Sequence, residues 1–266
     1  MTSDLRYLSL ALNFNSFFQN VSRKRHCGFV LMSLLSIACQ DTFADYRLLP
    51  CPEEQQSANK TLQRIENEWP TRGSGDPVSQ YVQQLGLRLA QSTQSASRFF
   101  WRFSVVRNLA PNAFSIGNGY VFLTEGALNL AQNESELAAI LAHELGHELA
   151  GHFCKEPGSI VSNSLFDIFN PKQTTQYRVG IGSMMQTIDP VKEQQADRIA
   201  LSILQIAGLN PHAMLDISRR LPAGNVSHFT DVLRLQDLER ALANMPPRRV
   251  ESSAAFTSTK QQLINE

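Results

Sequence analysis

The chain has 266 residues, 42% of them apolar and 18% charged, enough for one substantial globular domain with extensions. Its 24 basic and 24 acidic side chains cancel, so no broad field draws it to nucleic acid or anionic lipid, and nucleic-acid binding is disfavoured. Four cysteines without a C-x-x-C pair are too few for a disulfide scaffold.

Arg23-Lys24-Arg25-His26 precedes an apolar run, Gly28 to Ala38, and then Asp41-Thr42-Phe43-Ala44-Asp45. A basic block, a short apolar core and a small residue read as an export signal, too short to span a bilayer comfortably. The leader before it, Met1 to Ser22, is longer than a signal normally carries. Cleavage after Ala44 would release the protein, whereas Ile37-Ala38-Cys39 resembles the end of a lipoprotein box that would lipidate Cys39; an uncleaved anchor is a third reading. Ser36 stands where such boxes carry Leu, which favours release. All three place the chain outside the cytoplasm, where Cys51 and Cys154 either pair as a disulfide or remain free thiols.

Residues 1–44 thus read as leader and signal, 45–77 as an N-terminal extension and linker, 78–245 as the main domain and 246–266 as a polar tail. Within the extension, Glu53 to Asn67 reads as a polar helix and Thr71 to Pro77 as a linker by composition. Val78, Val82, Leu85 and Leu89 predict an amphipathic helix from Val78 to Ser92. Phe99–Val106, Asn112–Ile116 and Tyr120–Leu123 predict three short strands, the last two flanking the hairpin-like turn Gly117-Asn118-Gly119. The edge of such a sheet either accepts an extended peptide as an added strand or is purely structural.

The stretch that follows carries H-E-x-x-H: His143-Glu144-Leu145-Gly146-His147. Asn133 can cap its helix, with Glu136 three residues on as in a capping box, and Leu137, Leu141, Leu145 and Leu149 recur at helical spacing. On a helix His143 and His147 stand about 40° apart, one turn above the other, so both imidazoles can reach one metal ion. Glu144 lies about 100° round from His143, where its carboxylate can take a proton from the water such an ion activates. Ala138, Leu141, Ala142, Leu145 and Leu149 fall on the opposite arc, which predicts one packing face and one metal face.

From Glu156 to Asp189 the pattern weakens, and the segment reads either as a lid over a cleft or as a surface loop with a short helix. Helices are predicted again at Val191–Ala207, ending at Gly208, at His212–Arg220, and at Asp231–Leu242 before Pro246-Pro247. A hydrolytic zinc commonly has three protein ligands. Glu193 is the candidate third ligand, and Asp197, four residues on and on the same helical face, can accept from the far nitrogen of a ligand His. His152 lies nine residues beyond His143, about 180° away on a continuous helix, which suggests a supporting role. Six residues after His147 stands Phe153, which excludes the third His of metzincins.

Asn112-Ala113-Phe114 with Gly119-Tyr120-Val121-Phe122, then His143-Glu144-Leu145-Gly146-His147, then Glu193-Gln194-Gln195-Ala196-Asp197 together resemble the gluzincin metallopeptidases of the HtpX, BepA and CAAX prenyl-protease type, including their short exported members. The resemblance covers Val78 to Leu242. It implies one zinc ion per chain held by His143, His147 and Glu193, with Glu144 activating water and Asp197 supporting. A weaker block, Ser227-His228-Phe229 followed by Arg234, matches the family's Ser-His-Pro and Arg except at Phe229. By that match His228 donates to the oxyanion or closes over the metal, and Arg234 holds a carboxylate.

The expectation is an α+β, mostly helical zincin-type domain with a small sheet before the motif helix. Its function would be endopeptidase cleavage of unfolded or misassembled polypeptides in the periplasm, free or peripherally associated with the outer membrane. The alternatives are a metal-stabilised, chaperone-like binding module with little turnover and a zinc hydrolase for a non-peptide bond.

Overall fold

A computed structural model of the chain describes residues 50–154, 189–221 and 232–266. The export signal with Cys39, the 156–188 segment and Ser227-His228-Phe229 lie outside the described residues. The helices are α1 (Pro52–Glu68), α2 (Pro77–Gln91), α3 (Glu125–Leu130), α4 (Glu134–Leu149), α5 (Pro190–Ile206), α6 (Ala213–Arg220), α7 (Val232–Leu242) and α8 (Ala254–Asn265). The strands are β1 (Arg102–Val106), β2 (Ala113–Ser115) and β3 (Tyr120–Thr124). The architecture is therefore α+β and mostly helical, with the sheet preceding the motif helix, as expected.

Local chemistry accounts for the helix starts. Proline, whose missing N–H is harmless in the first turn, opens α1, α2 and α5. Asp76 accepts from the Val78 and Ser79 amides, Asp189 from Val191, and Asn133 from Glu136. Glu136 reaches back to the amide of Gln132 (2.7 Å), closing the capping arrangement at α4.

The sheet order is β1-β3-β2: β3 pairs in parallel with β1, Phe103 opposite Val121, and antiparallel with β2, Phe114 opposite Phe122. The Gly117–Gly119 turn makes β2 and β3 a hairpin and lays β3 between the other two. One apolar cluster, including Leu85, Leu137, Leu141, Leu145, Leu204 and Ile217, joins α2, α4, α5 and α6. A second, Ile65, Val106, Phe114, Ile116 and Phe122, lies between α1 and the sheet, with Phe114 and Phe122 stacked at 5.1 Å.

Three expectations change. α4 is buried on nearly every side, because α2, α5, α6 and the sheet surround it, so its metal face is also an interior face. The Thr71–Pro77 segment is pinned to the sheet: Thr71 bridges to Val106, the Arg72 amide donates to Val105 O (2.8 Å), and the buried Arg72 guanidinium meets Asp76, Glu125 and Glu266. The polar tail carries α8, which Ser253 caps and Phe256 fastens into the core beside Tyr81. Its sequence looks loose because only Phe256 and Thr259 are buried among twelve residues.

Cys51 and Cys154 are joined as a disulfide (Cα–Cα 5.9 Å), resolving the pairing left open by the sequence. It ties the start of α1 to the chain just beyond α4. Among the described residues no helix is long and apolar enough to cross a membrane.

Candidate metal centre

α4 presents His143 and His147 to α5, whose first turns carry Glu193 and Asp197. The two helices meet closely at Gly146 and Ala196: a Cβ on Gly146 would lie 2.5 Å from Ala196 O. Glu193 and Asp197 flank Ala196 in sequence, so this approach carries both carboxylates to the imidazoles.

The nitrogen His143 Nε2 lies 3.1 Å from His147 Nε2 and 3.3 Å from Glu193 Oε2, while His147 Nε2 lies 3.3 Å from Glu193 Oε1. Donors bound tetrahedrally at about 2.0–2.1 Å from a zinc ion stand about 3.3 Å apart, so the donor set fits one small tetrahedral cation. All three side chains are buried.

Each imidazole is oriented from behind. His143 Nδ1 is 2.8 Å from Asp197 Oδ1 and donates to it, which leaves Nε2 for a metal. His152 Nδ1 lies 2.8 Å from His147 Nδ1, and its Nε2 lies 3.1 Å from Gln195 Oε1. An amide oxygen only accepts, so His152 Nε2 carries the proton and Nδ1 accepts from His147, again leaving His147 Nε2 for the metal. Burial lowers the pKa of His152, which keeps it neutral for this task. The helix ends at Leu149 and the chain reverses through Gly151 (φ 69°), which brings His152 back toward His147 instead of to the far side.

Arg234, on α7, is buried and bidentate on Asp197, Nε to Oδ2 and Nη2 to Oδ1 at 2.8 Å each, and its Nη1 lies 2.8 Å from Glu193 Oε2. Burial disfavours the Asp197 carboxylate, yet Arg234 and then His143 outweigh that and hold it well below the usual carboxylate range. Burial also opposes the charge on Arg234, and Asp197 and Glu193 reverse this. His228 is not among the described residues.

Ser115 Oγ on β2 donates to Glu144 Oε2 (3.1 Å). A cleft beside Glu144 and His143 is walled by Ala113, Ala127, Ile140, Met214, Ile217 and Leu221. Glu148, one turn beyond Glu144, is buried and accepts the amides of Gly117 (2.9 Å) and Gly119 (3.0 Å). Burial pushes its carboxyl well up, against those two amides.

Ser115, Gln195 and Glu148 carry no signal of their own in the sequence. Ser115 was readable only as a lone hydroxyl in a strand, Gln195 as a neighbour of Glu193, and Glu148 as one more polar residue of the motif helix.

Residues 78–242 match peptidase family M48. The chain is 29% identical over 215 residues to the beta-barrel assembly-enhancing protease of Escherichia coli, covering 71% of this chain and 44% of that protein. It is 32% identical over 215 residues to a putative beta-barrel assembly-enhancing protease of Vibrio cholerae, with the same coverages of 71% and 44%. To the mitochondrial metalloendopeptidase OMA1 of Schizosaccharomyces pombe it is 28% identical over 228 residues, 79% of this chain and 67% of that one. The chain thus spans less than half the length of the assembly-enhancing proteases it matches. With the family match over most of the chain and a His-His-Glu group able to hold a metal, this protein belongs to peptidase family M48.

Proposed function

We propose that the chain is a zinc-dependent endopeptidase that cleaves unfolded or misassembled polypeptides in the cell envelope. The observation that carries the reading is the donor triangle of His143, His147 and Glu193, with the Glu144 carboxylate on the same helix beside it. A zinc ion held by these three side chains would supply Lewis-acid activation of water and of the scissile carbonyl.

The chain's own residues do the rest. Asp197 and His152 keep both ligand imidazoles in the tautomer that offers Nε2. Arg234 balances two buried carboxylates, each of which would otherwise cost on the order of several kcal/mol to hold charged. Glu144, steadied by Ser115, takes the proton of the attacking water and passes it to the leaving amine.

Substrate binds as an extended segment along β2. The backbone of β2 pairs with β3 through Asn112, Phe114 and Ile116, so the backbone of Ser115 turns to the outer edge beside α4. The apolar cleft next to Glu144 takes one substrate side chain, and its walls suit an aliphatic residue. The restriction to misassembled envelope proteins, in the periplasm or at the outer membrane, rests on the family resemblance and on the names of the relatives.

The test is incubation of purified protein with casein, beside Glu144→Gln and a chelator control, with the fragments read by mass spectrometry. Cleavage in the wild type, lost in both controls, with aliphatic residues enriched next to the cut, supports the reading. Zinc retained without cleavage of casein or of any envelope protein favours the metal-stabilised binding module.

A further inference from the structure

α4 is joined at two successive rungs to β2 and to the turn that follows it. Ser115 Oγ donates to Glu144 Oε2 (3.1 Å), and two residues on, the Gly117 amide donates to Glu148 Oε1 (2.9 Å). Glu144 and Glu148 are one helical turn apart, about 6 Å along the axis. An extended step from Ser115 through Ile116 to Gly117 spans about 6.8 Å. The two rulers nearly match, so both rungs close together, and a shift that breaks one strains the other.

The lower rung is strongly determined. Glu148 is 1% exposed, and its second oxygen accepts the Gly119 amide (3.0 Å), so the carboxylate grips both ends of the turn. The amide between them, Asn118 N, donates to Glu54 Oε1 of α1 (2.8 Å). Gly117, Asn118 and Gly119 all have positive φ, at 90°, 57° and 81°. A Cβ on Gly117 would meet Glu54 Cγ at 2.8 Å, and one on Gly119 would meet Phe99 Cβ at 2.8 Å. The three amides of this turn are all satisfied by the carboxyl groups of Glu148 and Glu54 that face them.

We infer that Glu148 is a positioning residue for the proton-accepting carboxylate: by holding Gly117 and Gly119 against α4 it sets the height of Ser115, whose hydroxyl orients Glu144. The inference rests on Glu144 being the base. Glu148 acts at a distance, through the β2–β3 turn whose amides it holds.

The experiment is a double-mutant cycle with Glu148→Gln and Ser115→Ala in the zinc-loaded protein, reading kcat, KM, zinc content and amide hydrogen exchange of the 113–119 segment. Gln keeps the shape of Glu, but its amide nitrogen cannot accept from a backbone N–H. Glu148→Gln is expected to lower kcat about five- to thirtyfold, with KM within about twofold, zinc content unchanged and exchange of the segment faster. In the Ser115→Ala background the same substitution is expected to change kcat less than about twofold, because the hydroxyl through which it acts is gone. Full multiplication of the two effects on kcat overturns the inference, as does loss of zinc in Glu148→Gln. Unchanged exchange at 113–119 overturns it independently of activity. If the wild type cleaves nothing, the reading of Glu144 itself falls, and this inference falls with it; faster exchange in Glu148→Gln would then still report the tie between Glu148 and the turn.

Discussion

Gly146 and Ala196 bring the backbones of α4 and α5 together where a side chain on the first would sit 2.5 Å from the carbonyl of the second. Gly146 lies between the two histidines and Ala196 between the two acids. This close contact of the helices is therefore the point about which the donor set is assembled.

Gly146→Ala tests this. In a helix interior Ala is favoured over Gly by about 0.5–1 kcal/mol. The overlap with Ala196 is with backbone, which cannot rotate away, and overpacking of that kind costs about 1–3 kcal/mol. The steric effect wins: the variant is expected to melt lower and to bind zinc at least about tenfold more weakly, as read by competition with a chromogenic chelator.

Arg234→Met removes the guanidinium that serves Asp197 and Glu193 while keeping much of the volume. Breaking a buried ion network from one side costs about 3–5 kcal/mol. The variant is expected to lose stability on that scale in denaturant titrations of the metal-free protein. Asp197→Asn, which weakens the hold on His143, is expected to lower zinc affinity about 10–100-fold with a smaller stability loss.

The spacing of His143, Glu144 and His147 needed only the helical period, and Glu193 and Asp197 needed a second helix with the same period, so five residues of the site were legible. Arg234 was reachable through its interval from His228. A continuous helix would carry His152 to the far side from His143; the helix ends at Leu149, and the reversal at Gly151 brings His152 to His147. Single strand signals do not say which strands pair, so the parallel pairing of β1 and β3 was not legible. Arg72 and Glu148 were not legible because most of the polar partners of these buried side chains lie far away in sequence.

The pH dependence of metal binding has a definite sign. Burial disfavours a charged His143, but hydrogen bonds to Asp197 and Glu193 more than reverse this and raise its pKa above the ordinary 6.5 in the metal-free protein. A histidine raised on folding gives stability that is complete below its unfolded pKa and is lost as pH rises through the higher folded value. Metal-free protein should therefore lose stability from about pH 6.5 upward. Zinc must displace that proton, so over the same window its affinity should rise with pH, by up to about tenfold per unit. Melts of metal-free protein and zinc titrations at a series of pH values check both signs.

The Cys51–Cys154 disulfide closes a loop with a sequence separation of 103. Its removal in the Cys51→Ser, Cys154→Ser pair is expected to cost about 2–5 kcal/mol. The loss should be accompanied by faster amide exchange in α1 and in the turn that Glu54 contacts, while the distant α6 is unaffected.

The most direct test is the metal content of the intact protein and of Glu193→Ala after dialysis against metal-free buffer. The prediction is one zinc per chain in the wild type and less than about a tenth of that in the variant, on the scale expected for losing one of three ligands. A wild type that retains no zinc, or a Glu193→Ala protein that holds it as firmly as the wild type, would contradict the assignment of His143, His147 and Glu193 as a metal centre.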